Sequence, residues 1–301
     1  MFADLGFNVW GAALIGLAVG YLSGMLGVGG GFIANPLLNA VLGVPMPIVS
    51  GTSLCQISGS SLSGLLRHRR HGQFDLRIAV LVSGGVFCGE EAGIALMVWL
   101  KGLGTVSLAG GIYPLSELAL RLAFLGMLLV IGALVFFESG GAAAGAAEPG
   151  APRRGWLARL RVPPYVAPLG GASVSAPLVA LVGVPIGLAQ GLLGIGGGVL
   201  LLPMLVYVVG VSTHAAVGTS LLMVFPAAVW GCFRHGLEGN VSLSLAAALL
   251  VTSTFGSQLG AATATRLPAH RLRKYFSLVA AAAALILAWK LAGMLGLLPG
   301  K

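Results

Sequence analysis

The sequence contains very few charged residues. Of its 301 residues, 17 are Lys or Arg and 8 are Asp or Glu, so charged side chains make up 8% of the chain, whereas a soluble domain carries about 25%. Hydrophobic residues make up 57%, and the mean hydropathy is +0.98. This composition excludes a soluble globular protein, because it cannot supply a water-facing surface.

Cysteine is also scarce, and no arrangement typical of an enzyme is present. The three cysteines are odd in number, lack CxxC spacing and lie in apolar stretches: Cys55, Cys88 and Cys232. We therefore expect neither a disulfide framework nor a zinc site. His68, His71 and His235 are expected in solvated loops. HExxH, GxSxG and acidic metal clusters are missing, so we expect no enzymatic activity, no metal and no cofactor.

Long apolar runs dominate what is present. Four runs approach the ~20 residues that span a bilayer as a helix: 78–100, 118–137, 243–264 and 275–297. The 48 glycines suit helices that pack backbone to backbone in lipid, and Gly16, Gly20 and Gly24 have small-xxx-small spacing. The net charge of +9 resides in short loops between the runs. This distribution indicates orientation in a membrane and not binding to nucleic acid.

The chain contains an internal repeat with a constant offset. GMLGVGGG at 24–31 returns as GLLGIGGG at 191–198, and GTSL at 51–54 returns at 218–221, with the same displacement along the chain. After Leu100 the offset shortens, so the first copy carries extra residues near 102–116. We interpret the chain as repeat 1 (1–138), a cytoplasmic linker loop (139–164) and repeat 2 (165–301).

Equivalent loops of the two copies carry opposite charge bias. The first loop is more basic in repeat 1, with Arg67, Arg69, Arg70 and Arg77 against Arg234 alone in repeat 2. The second loop is more basic in repeat 2, with Arg266, Arg271, Arg273 and Lys274 against Lys101 and Arg121 in repeat 1. Since basic loops stay in the cytoplasm, the copies should have inverted topology. The fold class is therefore all-α and polytopic, with about five helical segments per repeat and broken or re-entrant helices at the Gly-rich motifs. We expect loops 67–77, 153–161 and 266–274 in the cytoplasm and both termini outside it.

Two glycine clusters interrupt apolar helices at matching places. The clusters are Gly29, Gly30 and Gly31 in repeat 1, and Gly196, Gly197 and Gly198 in repeat 2. Broken helices offer N–H groups and positive helix ends to an anion near the membrane midplane, so we predict substrate binding there. Close helix packing is the alternative. A P-loop is excluded, because no GK[ST] follows.

Hydroxyl side chains follow each glycine cluster by about twenty residues. They are Thr52 and Ser53 in repeat 1 and Thr219 and Ser220 in repeat 2, with Gln56 extending the polar stretch in repeat 1 only. Hydroxyls can donate to an anion without the desolvation of a buried cation, so we predict that these residues bind substrate. Hydrogen bonding to a carbonyl of the same helix is the alternative.

Two carboxyl groups, Glu90 and Glu91, lie within one predicted span. Intramembrane carboxyl groups are candidates for function, and Glu91 corresponds to Gln258 in repeat 2. We predict that Glu91, Glu90 and Gln258 include the site that couples transport to a proton. An ion pair or a position near water is the alternative.

The duplicated motifs resemble one transporter family. GMLGVGGGFIANPLL (24–38), GLLGIGGGVLLLPML (191–205), HAAVGTSL (214–221) and RLPAHRLRKYF (266–276) are similar to the TauE/SafE sulfite-exporter family, also described as the toluene sulfonate uptake permease (TSUP) family. The resemblance implies export of small sulfur-containing anions, such as sulfite, sulfoacetate or other C2 sulfonates, across the inner membrane of a bacterial cell. An anion channel and an uptake permease for thiosulfate remain alternatives, and association into a homo-oligomer stays open.

Overall fold

The computed structural model describes residues 8–26, 29–69, 74–108, 111–140, 157, 162–168, 173–211, 213–264 and 269–294. These residues form ten α-helices: α1 Val9–Leu26, α2 Gly31–Val41, α3 Met46–Arg69, α4 Leu76–Gly102, α5 Leu115–Gly140, α6 Ala176–Leu193, α7 Gly198–Pro203, α8 Thr213–Leu237, α9 Leu243–Ala264 and α10 Ala269–Met294. A π-helical turn, Met204–Val209, continues α7. Two short antiparallel pairs join β1 Thr105–Leu108 to β2 Gly111–Pro114, and β3 Tyr165–Val166 to β4 Val174–Ser175.

The helices follow the internal repeat. The starts of α1 to α4 are separated from the starts of their counterparts, α6 to α9, by the same offset as the duplicated motifs, and the offset between α5 and α10 is shorter. The β1–β2 hairpin lies among the extra residues of repeat 1. The expected five helical segments per repeat are therefore present. α5 extends to Gly140, and most of the predicted linker lies outside the described residues.

Two of the helices are too short to cross a bilayer. α2 has 11 residues, which gives a length of about 16 Å, and α7 with its π-helical turn is of similar length. Both are half-helices, and each follows a longer helix after a glycine cluster. Among the described residues, four other helical segments are long and apolar enough to cross a membrane: Leu76–Gly102, Ala176–Leu193, Ala215–Leu237 and Leu243–Gly260. The protein is a multi-pass membrane protein.

Glycines bring two pairs of helices into backbone contact. α1 packs against α9, and α6 packs against α4 in the corresponding arrangement. A Cβ added to Gly20 would lie 2.5 Å from Ser253 Cα, and one added to Gly187 would lie 2.7 Å from Val86 C. Because such distances leave no room for a side chain, the packing role predicted for Gly16, Gly20 and Gly24 is confirmed.

Equivalent helices α3 and α8 cross in antiparallel directions at the centre. Gly51, early in α3, lies against the Cβ of His235, late in α8, whereas Gly64, late in α3, lies against Leu221, early in α8. A disulfide joins Cys55 to Cys232 between these helices.

Two sequence expectations were wrong at this crossing. The expectation of no disulfide failed because two residues 177 positions apart meet only through the tertiary packing of α3 on α8. His235 is fully buried within α8, not in a solvated loop, and its Nε2 donates to the carbonyl of Gly191 at 2.8 Å.

The two ends of the bundle can be told apart by their contacts. At one end Lys101 Nζ donates to Asn240 Oδ1 at 2.8 Å, and Glu117 accepts from Met46 N at 2.7 Å. Exposed tryptophans lie near this end, on α1, α4 and α10: Trp10, Trp99 and Trp289. Tryptophan is enriched where a bilayer meets water, so we expect one membrane interface at the level of these rings.

Candidate functional site

Both glycine clusters adopt backbone conformations that favour glycine. Gly29 and Gly30 have φ of 82°, and Gly196 and Gly197 have φ of 73° and 64°. Residues other than glycine are disfavoured at such angles, because they carry a Cβ. The first cluster leads directly into α2 and the second into α7. The clusters are therefore true helix breaks, as the sequence predicted.

The two breaks contact each other. A Cβ on Gly31 would lie 2.8 Å from the carbonyl oxygen of Gly194 and 2.9 Å from the carbonyl carbon of Ile195. Asn35, in the second turn of α2, donates its Nδ2 to the carbonyl of Leu193, at the C-terminal end of α6. These contacts hold α2 of repeat 1 against the break of repeat 2, and we call this contact the glycine junction.

One face of α3 lines the glycine junction. Gly194 packs on the backbone of Ser50, and a Cβ on Gly196 would lie 2.7 Å from the side chain of Ile57. Ser53 lies three residues after Ser50 and four before Ile57, so helical periodicity places it on the same face.

This face of α3 carries buried polar groups without partners. The hydroxyls of Ser50 and Ser53 are buried and make no hydrogen bond in the structure. Both amide atoms of the buried Gln56, which lies between this face and the face of Thr52, are also without a partner. Buried polar groups are nearly always hydrogen-bonded. Their unpaired state makes these side chains candidates for contact with a ligand.

The corresponding face of α8 points at the first break. Val224, the counterpart of Ile57, lies 3.8 Å from the position of a Cβ on Gly29. Ser220 lies one turn earlier on that face, but its Oγ donates to the carbonyl of Val217 at 2.9 Å. The two predicted serines thus face the breaks, and only Ser53 has a free hydroxyl.

The structure does not bring the predicted threonines to the junction. Thr52 Oγ1 accepts from Ser242 N at 3.1 Å, just before α9. Thr219 Oγ1 accepts from Asp75 N at 2.9 Å, just before α4, and donates to Ala215 O at 2.6 Å. Each threonine therefore binds the start of a helix from the other repeat, and the two contacts are equivalent under the internal repeat.

The carboxyl groups differ sharply in their surroundings. Glu90 is fully buried, and its Oε1 accepts from Gln190 Nε2 of α6 at 3.1 Å. Glu91 lies beside Arg234, whose Nε is 3.0 and 3.1 Å from its two carboxylate oxygens, and it also accepts from Trp230. Gln258 is exposed on α9. Of the three predicted coupling residues, only Glu90 is joined to a residue of the glycine junction, through Gln190.

Gln190 is a candidate site residue that the sequence reasoning missed. Its unpaired Oε1 lies 2.5 Å from the position of a Cβ on Gly197, so the amide connects Glu90 to the second break. In repeat 1 the counterpart is Ser23, which lies 3.0 Å from the position of a Cβ on Gly30. The signal in the sequence was a polar residue six residues before each glycine cluster, at positions related by the repeat offset.

The sequence pattern of a known transporter family fits the entire arrangement. The sulfite exporter TauE/SafE family matches residues 12–287 of the chain, a range that includes both glycine breaks. The chain belongs to the TauE/SafE family. Members of this family are membrane transporters, which agrees with a helical bundle whose unpaired polar groups face broken helices.

Several curated relatives match most of the chain. A probable membrane transporter protein of Xylella fastidiosa is 28% identical over 275 residues, which cover 90% of this chain and 92% of that protein. The probable membrane transporter protein YdhB of Bacillus subtilis is 26% identical, over 91% of this chain and 98% of that protein. YjnA of the same organism, also a probable membrane transporter protein, is 28% identical, over 82% of this chain and 87% of that protein. No solved structure matches the chain.

Proposed function

We propose that this protein is a secondary transporter that exports small sulfur-containing anions, such as sulfite, sulfoacetate or other C2 sulfonates. The observation that carries the proposal is the glycine junction, where two helix breaks meet beside the unpaired hydroxyls of Ser50 and Ser53, with the unpaired amide of Gln56 further along α3. The family description, sulfite exporter, supports the substrate class.

The chemistry of the junction suits an anion. The N-terminal end of α2 points into the junction, and aligned peptide dipoles give that end a partial positive charge. Hydroxyls and the Gln56 amide can donate hydrogen bonds to sulfonate or sulfite oxygens. Neutral donors of this kind stabilise an anion without the desolvation of a buried lysine or arginine.

Ile57 sets the access to this site. Its side chain lies against Gly29 of the first break and Gly196 of the second, and thereby fills the space between them. Anion binding therefore requires α3 to shift or Ile57 to change rotamer. A site that opens by rearrangement supports alternating access, in which the two repeats move relative to each other.

We further propose that the repeats have inverted topology, with both termini outside the cytoplasm. The antiparallel crossing of α3 and α8 supports this arrangement, as does the contact of Arg121, early in α5, with Met294, late in α10. The threonine contacts across the repeats have the same symmetry.

Cysteine labelling tests the topology. In a cysteine-free background, a cysteine replacing the exposed Leu237 should react with an impermeant maleimide in intact cells, and a cysteine replacing Gly72 should react only after lysis. Equal labelling of both sites before lysis would contradict inversion.

Purified protein tests the substrate. Sulfite, sulfoacetate, taurine, sulfolactate, thiosulfate and chloride are compared by thermal shift, because a ligand that binds only the folded state raises its stability. We expect stabilisation by sulfite or a C2 sulfonate and none by chloride. Stabilisation by thiosulfate alone would favour a thiosulfate permease.

Proteoliposomes distinguish a transporter from a channel, since both can use helix ends as anion sites. A transporter should show saturable flux and exchange of labelled for unlabelled substrate. Linear, chloride-permeable conductance would overturn the proposal.

A further inference from the structure

The side-chain amide of Gln190 lies between a buried carboxyl group and the glycine junction. On one side its Nε2 donates to Glu90 Oε1 at 3.1 Å. On the other side its Oε1 lies 2.5 Å from the position of a Cβ on Gly197, and this oxygen has no hydrogen-bond partner. Glu90 and Gln190 are both fully buried.

The protonation state of Glu90 restricts the orientation of this amide. An ionised carboxylate only accepts hydrogen bonds, so Gln190 must turn its NH₂ group toward Glu90 and its carbonyl oxygen toward Gly197. A protonated carboxyl group has an O–H donor and can bond the amide oxygen instead. The amide is then free to turn its NH₂ group toward the junction.

We propose that Gln190 is a positioning residue that couples a proton on Glu90 to the anion at the glycine junction, an inference that rests on the proposed function. With Glu90 ionised, a carbonyl oxygen faces the junction and repels an anion. With Glu90 protonated, an N–H donor faces the junction and attracts one. By linkage, proton binding raises anion affinity, and anion binding raises proton affinity by the same factor.

The other charged groups near Glu90 are engaged with different partners. Glu91 on α4 and Arg234 on α8 form an ion pair with each other. His235 on α8 donates its Nε2 to the carbonyl of Gly191. α3 contributes the apolar Leu54, whose side chain lies against Gly231 of α8, as Glu90 Oε1 also does. The sequence of α6 contains no titratable side chain.

The device joins one residue of each repeat and occurs at only one of the two positions that the internal repeat relates. The counterpart of Glu90 in repeat 2 is Ser257, and the counterpart of Gln190 in repeat 1 is Ser23. Ser257 donates to the carbonyl of Thr254 in its own helix and cannot exchange a proton near neutral pH. Ser23→Ala is therefore a matched control for changes at Gln190.

Calorimetry of sulfoacetate binding to the full-length protein tests the coupling. Sulfoacetate stays fully ionised between about pH 5.5 and 8, so its own titration does not interfere. Measurement in two buffers of different ionisation enthalpy gives the number of protons taken up per anion. For the unmodified protein we expect uptake of up to one proton per anion, and an affinity that rises by at most about ten-fold for each unit that the pH falls.

The variants separate coupling from structure. Glu90→Gln and Gln190→Leu should each bind sulfoacetate without proton uptake and with an affinity independent of pH, whereas Ser23→Ala should keep both properties. Proton uptake in Gln190→Leu equal to that of the unmodified protein would overturn the role of Gln190. Sulfoacetate binding to the unmodified protein without proton uptake would overturn the coupling even if no variant folds. No binding of any sulfur anion to the unmodified protein would instead refute the proposed function, and this inference with it.

Discussion

Thr52 and Ser53 are neighbours in sequence, yet the structure predicts opposite consequences for their substitution. Thr52→Val should lower stability and leave anion affinity unchanged. Ser53→Ala should lower anion affinity and leave stability unchanged. The pair therefore tests whether hydroxyl orientation, and not the duplicated motif itself, decides function.

The effect of Thr52→Val follows from its contact with the start of α9. Valine has the same shape but no acceptor, so the buried N–H of Ser242, now 3.1 Å from Thr52 Oγ1, loses its partner. An unsatisfied buried donor costs about 1–3 kcal/mol, which corresponds to a lowering of the apparent melting temperature by about 2–10 °C. Thr254→Val is the control, because Thr254 donates only to Leu250 O of its own helix and should change stability little.

The effect of Ser53→Ala follows from its unpaired hydroxyl. No hydrogen bond of the free protein is lost, since Ser53 Oγ has no partner. A hydrogen bond to an anion is worth about 1.5–3 kcal/mol, so the dissociation constant should rise about ten- to a hundred-fold.

Thermal unfolding and isothermal titration with the best anion from the substrate panel measure both quantities. Loss of affinity in Thr52→Val at unchanged stability, or unchanged affinity in a folded Ser53→Ala protein, would refute the reasoning.

Two further predictions concern the centre of the bundle. Gly31→Ala should force the two breaks apart and lower the melting temperature, because its Cβ would lie 2.8 Å from a backbone oxygen and overpacking of this kind costs about 1–3 kcal/mol. Gly84→Ala is the control, since a Cβ there meets nothing within 4 Å, and it should leave both melting temperature and transport intact. Equal behaviour of the two variants would contradict the contact between the breaks. The disulfide between Cys55 and Cys232 should hold the two repeats together after cleavage at a protease site inserted between residues 145 and 146, so that the halves separate on a denaturing gel only after reduction; separation without reductant would show that the bond does not form.

Only part of the site could be predicted from the sequence. The glycine breaks were predictable because a duplicated run of glycines has no other local explanation, and their φ values confirm it. The split between Ser53 and Thr52 was not predictable, because adjacent helical residues point about 100° apart and the motif does not show which one faces the junction. Gln190 was missed for a different reason: the polar residue before each glycine cluster is serine in repeat 1 and glutamine in repeat 2, so it does not form a repeated motif of identical residues.

The sequence by itself determined the class of protein, the two repeats, the helix breaks and the family, because composition, offset and glycine content are properties of the chain that no packing can change. Only the tertiary structure decided which groups meet: the disulfide of Cys55 with Cys232, the buried His235, and the contact of Gln190 with Glu90. The physical reason is that helices in lipid pack through backbone contacts at glycines. Such packing brings residues about a hundred or more positions apart within hydrogen-bonding distance. The order of residues along the chain does not show which of them will meet.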